Sequence, residues 1–138
     1  MAIEYFSQGI RYHLPKPRKT SFWIKKVALQ EGKEIDSIVI VFCRDEYLLS
    51  MNKKYLKHHT LTDILTFDYS STAESLNGEI YISLDRVKDN AAEFKTDLDQ
   101  EIHRVIIHGI LHLMGYHDHS KAEKAQMREK EEACLSLR

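Results

Sequence analysis

A chain of 138 residues, 43% hydrophobic and 30% charged, fits a single globular domain with its own core over residues 1–138, and excludes a disordered tail. Five Gly and two Pro exclude collagen-like or linker sequence, and a formal net charge of −1 excludes nucleic-acid binding through bulk positive charge, so any RNA-binding surface must be local. Cys43 and Cys134 lie far apart with no CxxC pair, which excludes a disulfide framework or zinc ribbon and fits a reducing cytosol. No apolar run reaches the ~18 residues of a membrane span, and the start MAIEYFSQG lacks the basic end and apolar stretch of a signal peptide. The expectation is a cytoplasmic protein with no membrane contact.

Taken in order, Ala2 to Ser7 and Gly9 to Leu14 alternate apolar and polar residues, as two short strands or an irregular edge would. Thr20 or Ser21 is expected to cap a helix whose stripe of Phe22, Ile24, Val27, Ala28 and Leu29 ends at Gly32. Ile38 to Cys43 is β-branched and apolar throughout, the pattern of a central strand covered on both faces. Asp45 is expected to cap a second helix running to about Lys57, with Lys53, Lys54 and Lys57 in its last turns, where cations suit the dipole. Thr62 to Tyr69 and Glu79 to Ser83 alternate as strands, joined by the polar stretch SSTAESLNG. A helix follows from Leu84. Thr96 or Asp97 caps a long one over Leu98 to Met114 that Gly115 stops, and a charged helix spans Ser120 to about Ser136.

Five of the eight histidines, His103, His108, His112, His117 and His119, fall within seventeen residues. The long helix is apolar almost all round from Val105 to Met114, so its polar exceptions need a reason. His108 and His112 are four apart, which sends both imidazoles from one face about a turn from each other, the separation at which two nitrogens bind one metal ion. Gly109 between them costs roughly 1 kcal/mol in a helix interior, which points to a strand or substrate closely approaching that backbone.

His108, His112, Gly115 and Asp118 reproduce the H-x-x-x-H-x-x-G-x-x-ligand layout of metzincin zinc sites, in which a glycine turn returns a third side chain to the metal. Asp118 takes that third position, with His117 and His119 flanking it as competitors. His103, five residues upstream and off the face of His108, is expected at the surface or supporting the site, with no ligand role. A zinc peptidase of the H-E-x-x-H type carries its general-base glutamate directly after the first histidine, and here that residue is Gly109. Metal-assisted attack on a phosphodiester needs no such glutamate.

The segment His108-Gly-Ile-Leu-His112-Leu-Met-Gly-Tyr-His-Asp118 resembles the HGxLHLxGYDH signature of the YbeY family of bacterial endoribonucleases. Asn52 to Phe67 resembles the family's N-x-x-Y-R-x-x-D-x-P-T-D-V-L-S-F block, and Gly78 to Ser83 its GDIxIS strand. The resemblance implies an α+β fold with a small, mostly mixed β-sheet packed with about five helices, the metal site lying on a buried helix and the turn after it. It also implies a zinc ion held by three side chains, cleavage of single-stranded RNA, and a role in small-subunit ribosomal RNA maturation and ribosome quality control. By position, His108 and His112 match the first two ligands and the catalytic pair, and the family's third histidine aligns with Asp118. That departure leaves a different divalent transition metal open. The family arginine after the tyrosine is Leu56 here, so Lys57, Lys53 or Lys54 is the expected substrate-binding cation, without the bidentate fork of arginine. Thr62, Asp63 and Ser83 also match family positions, where short polar residues at strand ends often satisfy backbone groups.

The leading expectation is thus a metal-dependent endoribonuclease whose partners are single-stranded RNA and ribosomal RNA or the ribosome. The alternatives are a metallohydrolase of another bond, such as a zinc peptidase, and a non-catalytic ribosome-associated factor with a structural metal.

Overall fold

A computed structural model describes residues 2–56 and 62–138 as a four-stranded mixed sheet with five α-helices, the α+β architecture expected. The strands are β1 (Ala2–Ser7), β2 (Glu34–Cys43), β3 (Ile64–Asp68) and β4 (Ser75–Ser83), in the order β1-β2-β4-β3. Strand β2 runs parallel to both β1 and β4, so each pairing requires a crossover, whereas β3 returns directly to β4 as an antiparallel neighbour. Residues 9–14 form no strand; they lead instead into α1 (Pro17–Gln30). That helix starts earlier than a cap at Thr20 or Ser21 would place it. Pro17 occupies the first turn, where its missing N–H costs nothing, and Thr20 is already buried inside the helix.

Helix α2 (Asp45–Met51) gives way at Asn52 to a π-helical turn, Asn52–Leu56. Arg44 is its N-cap, and Asp45 lies inside the first turn, where its carboxylate accepts from Ser83 Oγ at 2.6 Å and from Arg86 Nε at 3.1 Å. Ser83 also caps α3 (Leu84–Phe94) by accepting from the Arg86 N–H at 3.2 Å. One serine thereby ties the ends of β4, α2 and α3 together. Asp97 caps α4 (Leu98–Leu113), and Ser120 with Glu123 forms a capping box for α5 (Lys121–Leu135).

The core is one-sided. Ile38, Ile40, Phe42, Ile80 and Ile82 point from the sheet toward Ile24 and Val27 of α1 and Ile102, Ile106 and Ile110 of α4. Val39 and Val41, on the opposite face of β2, are only half-buried, because that face is covered at one end by a small cluster of Cys43, Leu48 and Leu65. The expected two-sided burial of β2 therefore does not hold; its apolar run reflects β-propensity as well as burial.

Two glycines set how closely the elements approach. A Cβ at Gly109 would meet Ile64 Cδ1 at 2.7 Å and Ile80 Cγ2 at 3.0 Å, so the sheet is what approaches the backbone of α4. A Cβ at Gly78 would stand 2.5 Å from the Phe67 carbonyl oxygen, a backbone atom with nowhere to move. Gly78→Ala should cost about 1–3 kcal/mol by forcing β3 from β4, and Gly109→Ala less, because its neighbours are methyl groups. Urea unfolding of the two variants with unchanged m-values checks the order.

Candidate metal centre

Helix α4 carries the site on the polar seam that faces α5. Its buried residues include Ile102, Val105, Ile106, Ile107, Gly109, Ile110, Leu111 and Leu113, while His108 and His112 stay partly open on the side facing α5. Gly115, at φ 104°, ends the helix in a backbone conformation that glycine adopts freely, and the Tyr116 N–H closes back onto the Leu111 carbonyl at 3.1 Å. The chain then folds Asp118 over the two rings.

Three donor atoms converge there. His108 Nε2 and His112 Nε2 are 3.0 Å apart, and Asp118 Oδ2 stands 3.4 Å from the first and 3.5 Å from the second. A tetrahedral ion with bonds of ~2.0–2.1 Å spaces its donors about 3.3–3.4 Å apart, so this triangle already matches one face of such a tetrahedron. The His/His/Asp group can hold a metal ion. The far nitrogen of each ring is committed elsewhere: His108 Nδ1–H donates to Glu131 Oε2 at 2.5 Å, and His112 Nδ1–H donates to the Tyr116 carbonyl at 3.0 Å. Both Nε2 lone pairs therefore face inward, the tautomer that metal-ligating histidines adopt. His117 and His119 are exposed, and their rings stack on one another at 5.9 Å, whereas Asp118 points at the imidazoles.

Glu131 was not apparent from the sequence, where α5 reads as a solvated charged helix. It is 3% exposed and sits in line with Met127 and Cys134, so an acid occupies the middle of the buried stripe of α5. Arg104 bridges it at 2.9 Å to a second buried acid, Glu101. Burial works against charge on His108, but the hydrogen bond and negative charge of Glu131, with Asp63 and Asp118, outweigh it and raise its pKa above the ordinary 6.5. Burial and then repulsion by His108 push His112 down. Burial alone would raise Glu131; the His108 bond and then Arg104 hold it below the usual carboxylate range. Asp63, at the entry to β3, is raised by burial and partly restored by the positive charge of His108 and Arg104.

His103 belongs to the architecture. It is buried, donates from Nδ1 to the Asp99 carbonyl at 2.7 Å and accepts at Nε2 from Thr20 Oγ1 at 2.8 Å, tying α4 to α1. Burial lowers its pKa, so it is neutral there and its approach to the Asp99 carboxylate is no ion pair. Lys53 and Lys54 are exposed on the π-helical turn, along a groove with Glu46, Leu49 and Ser50 that none of the metal-site residues lines. Lys57 lies outside the described residues.

The Endoribonuclease YbeY family matches residues 16–137. The chain belongs to the YbeY family of endoribonucleases. Among its relatives, Endoribonuclease YbeY of Bacteroides thetaiotaomicron is 44% identical over 138 residues, covering 100% of both chains. That of Amoebophilus asiaticus is 44% identical over 129 residues, 94% of this chain and 88% of that one. The solution structure of a Thermotoga maritima protein shares the fold at a TM-score of 0.68 and 23% identity, covering 99% of this chain and 88% of that chain.

Three outcomes follow from the Glu131 hydrogen bond. Glu131→Gln should weaken metal binding about 10- to 100-fold, since it loosens the ring that His108 presents. Because the His108 pKa is raised, a proton competes with the metal from above pH 6.5 downward, and affinity should fall up to about tenfold per pH unit below that raised value. In the metal-free protein the same shift contributes stability that is full below 6.5 and lost as pH rises through the raised value. Metal titrations and thermal melts across pH 5 to 9, on both proteins, check the signs.

Proposed function

We propose that the chain cleaves single-stranded RNA at the His108, His112 and Asp118 centre, with zinc as the resident ion, in the maturation of small-subunit ribosomal RNA and in ribosome quality control. The observation that carries the proposal is the triangle of inward-facing donor atoms at 3.0, 3.4 and 3.5 Å in a chain of an endoribonuclease family. Two imidazoles and a carboxylate suit zinc, and among the described residues three side chains converge, the number that leaves a coordination position for substrate or water. That count favours catalysis over a purely structural metal. When bound, the ion supplies Lewis-acid polarisation of a phosphoryl oxygen and a water of lowered pKa.

The chain's own groups do the positioning. His108 and His112 act as the catalytic pair by presenting Nε2, while Glu131 and the Tyr116 carbonyl keep each ring in the required tautomer. The Asp118 carboxylate lowers the net charge of the centre, which makes a water there a weaker acid than three neutral histidines would. Lys53, Lys54 and Lys57 remain candidate contacts to substrate phosphate, in place of an arginine at Leu56. A peptidase reading is weakened by geometry as well as by sequence: Gly109 faces Ile64 and Ile80 of the sheet, so a glutamate there would point into the core and away from the metal. No helix among the described residues is long and apolar enough to cross a membrane.

Purified protein should carry about one zinc per chain and cleave single-stranded RNA in preference to duplex, with activity lost to chelator and restored by metal. The His108→Ala, His112→Ala double variant should lose both metal and cleavage. Asp118→Asn should bind metal far more weakly and Asp118→His should retain it, while alanine at His117 or His119 changes little. Chelator-sensitive casein hydrolysis without RNA cleavage would reverse the assignment.

A further inference from the structure

Between Glu4 and Glu31 the chain has no acidic residue, and within that stretch lie Arg11, Lys16, Arg18, Lys19, Lys25 and Lys26. The remainder holds 14 Lys and Arg against 21 Asp and Glu, so a near-neutral protein is strongly polarised. The fold gathers this stretch on one side, from β1 through residues 8–16 to the end of α1. Thr20, Trp23, Ile24, Val27 and Ala28 turn the inner stripe of α1 into the core, which leaves its cations outward. Arg18, Phe22, Lys25 and Leu29 follow helical spacing along the outer surface, and Phe22 is 73% exposed. Among the described residues none of the six cations forms an ion pair.

This face is grooved. A cavity of about 590 Å³ between α1 and the start of α4 takes Lys16, Lys19 and Lys26 with Phe22 and Trp23; its one acid, Asp99, is held by Arg138 at 3.1 Å. A second groove shares Phe22 with it and holds Arg18 and Lys25, and a third shares Tyr5 and Pro17 with the second and holds Arg11. All six cations thus line one connected track with an exposed aromatic ring at its junction. Helix α1 also begins with no side-chain cap and no acid in its first turn, so the positive end of its dipole adds to the field.

The track is distinct from the metal centre, none of whose ligands lines it. His103 meets α1 at the cavity, whereas His108, five residues on, is turned by roughly 140° and displaced by ~7.5 Å along the helix axis toward α5. We infer that this face is a second RNA site, binding phosphates through the α1 cations and a base on Phe22, for the part of a strand beyond the segment being cut; the inference rests on the endoribonuclease reading. Phosphates match the cations, and an aromatic ring among them is what single-strand binders use to stack bases without reading sequence. A membrane surface fits less well, because the apolar stripe of α1 is spent on the core.

The test is binding of a labelled 2′-O-methyl uridine strand of about 15 nucleotides to the metal-loaded full chain at several salt concentrations. Lys16→Gln, Lys19→Gln, Lys26→Gln in one protein should weaken binding at least about tenfold and reduce the slope of log affinity against log salt by about two. Phe22→Ala should weaken binding about tenfold with the slope unchanged, a split that a merely structural role would not produce. Metal content and thermal melts verify that the variants are folded. Unchanged affinity in both variants would overturn the site, and the same result with lost binding to anionic phosphatidylglycerol vesicles would assign the face to a membrane. Cleavage of RNA by the parent with affinity insensitive to either variant rejects this face alone. Strand binding that both variants weaken, in a parent that cleaves no RNA, keeps the face and rejects the endoribonuclease reading.

Discussion

The hydrogen bond from His108 Nδ1 to Glu131 is the contact on which the rest of the site depends. Burying a carboxylate beside an apolar helix costs several kcal/mol unless each charge is answered, and here the answer is a chain of alternating groups. Glu101, Arg104, Glu131 and His108 follow one another across the seam between α4 and α5, all within hydrogen-bond reach. The chain supports the imidazole that faces the metal, and it requires α5 to dock in one register. Packing of the last helix and presentation of the first ligand are consequently the same event.

The sheet supplies the second constraint. Helix α4 lies so close to β3 and β4 that a side chain at position 109 would press on the methyl ends of Ile64 and Ile80, and β3 lies so close to β4 that a Cβ at position 78 would meet the Phe67 carbonyl. These approaches hold the histidine-bearing turns against a rigid support. The opposite seam of α4 is then the place where a polar site can open without breaching the core. The polarised charge of the chain follows the same division, with α1 turned outward on one side and the metal centre on another.

What the sequence made legible is local. His108, His112, Gly115 and Asp118 are joined by one helix and one turn, so their spacing alone carries their geometry, and Gly109 betrayed a close neighbour through its cost in a helix. What stayed hidden is relational. Glu131 looks like any charge in a run of charges until the stripe of Met127, Glu131 and Cys134 is read as one buried face. His103 is expected at the surface or supporting the site because nothing nearby in sequence announces Thr20, 83 residues away, as its partner. The start of α1 was misplaced because two attractive hydroxyl caps outweighed Pro17, and the bare face of β2 was missed because β-branched residues mark strands whether or not both sides are covered.

The stretch from Met114 to Ser120 looks like the kind of surface connection that tolerates insertion and deletion. In this chain it is one side of a closed ring. It leaves α4 at His112, delivers Asp118, enters α5 through the Ser120 cap, and α5 returns Glu131 to His108. A residue added or removed between His112 and Asp118 would pull the carboxylate from the imidazoles, and one added or removed after Asp118 would shift the start of α5 against it. Its length is therefore as constrained as any buried position, and variation in this protein should be accommodated in its chemistry, as aspartate for histidine, while the number of links stays fixed.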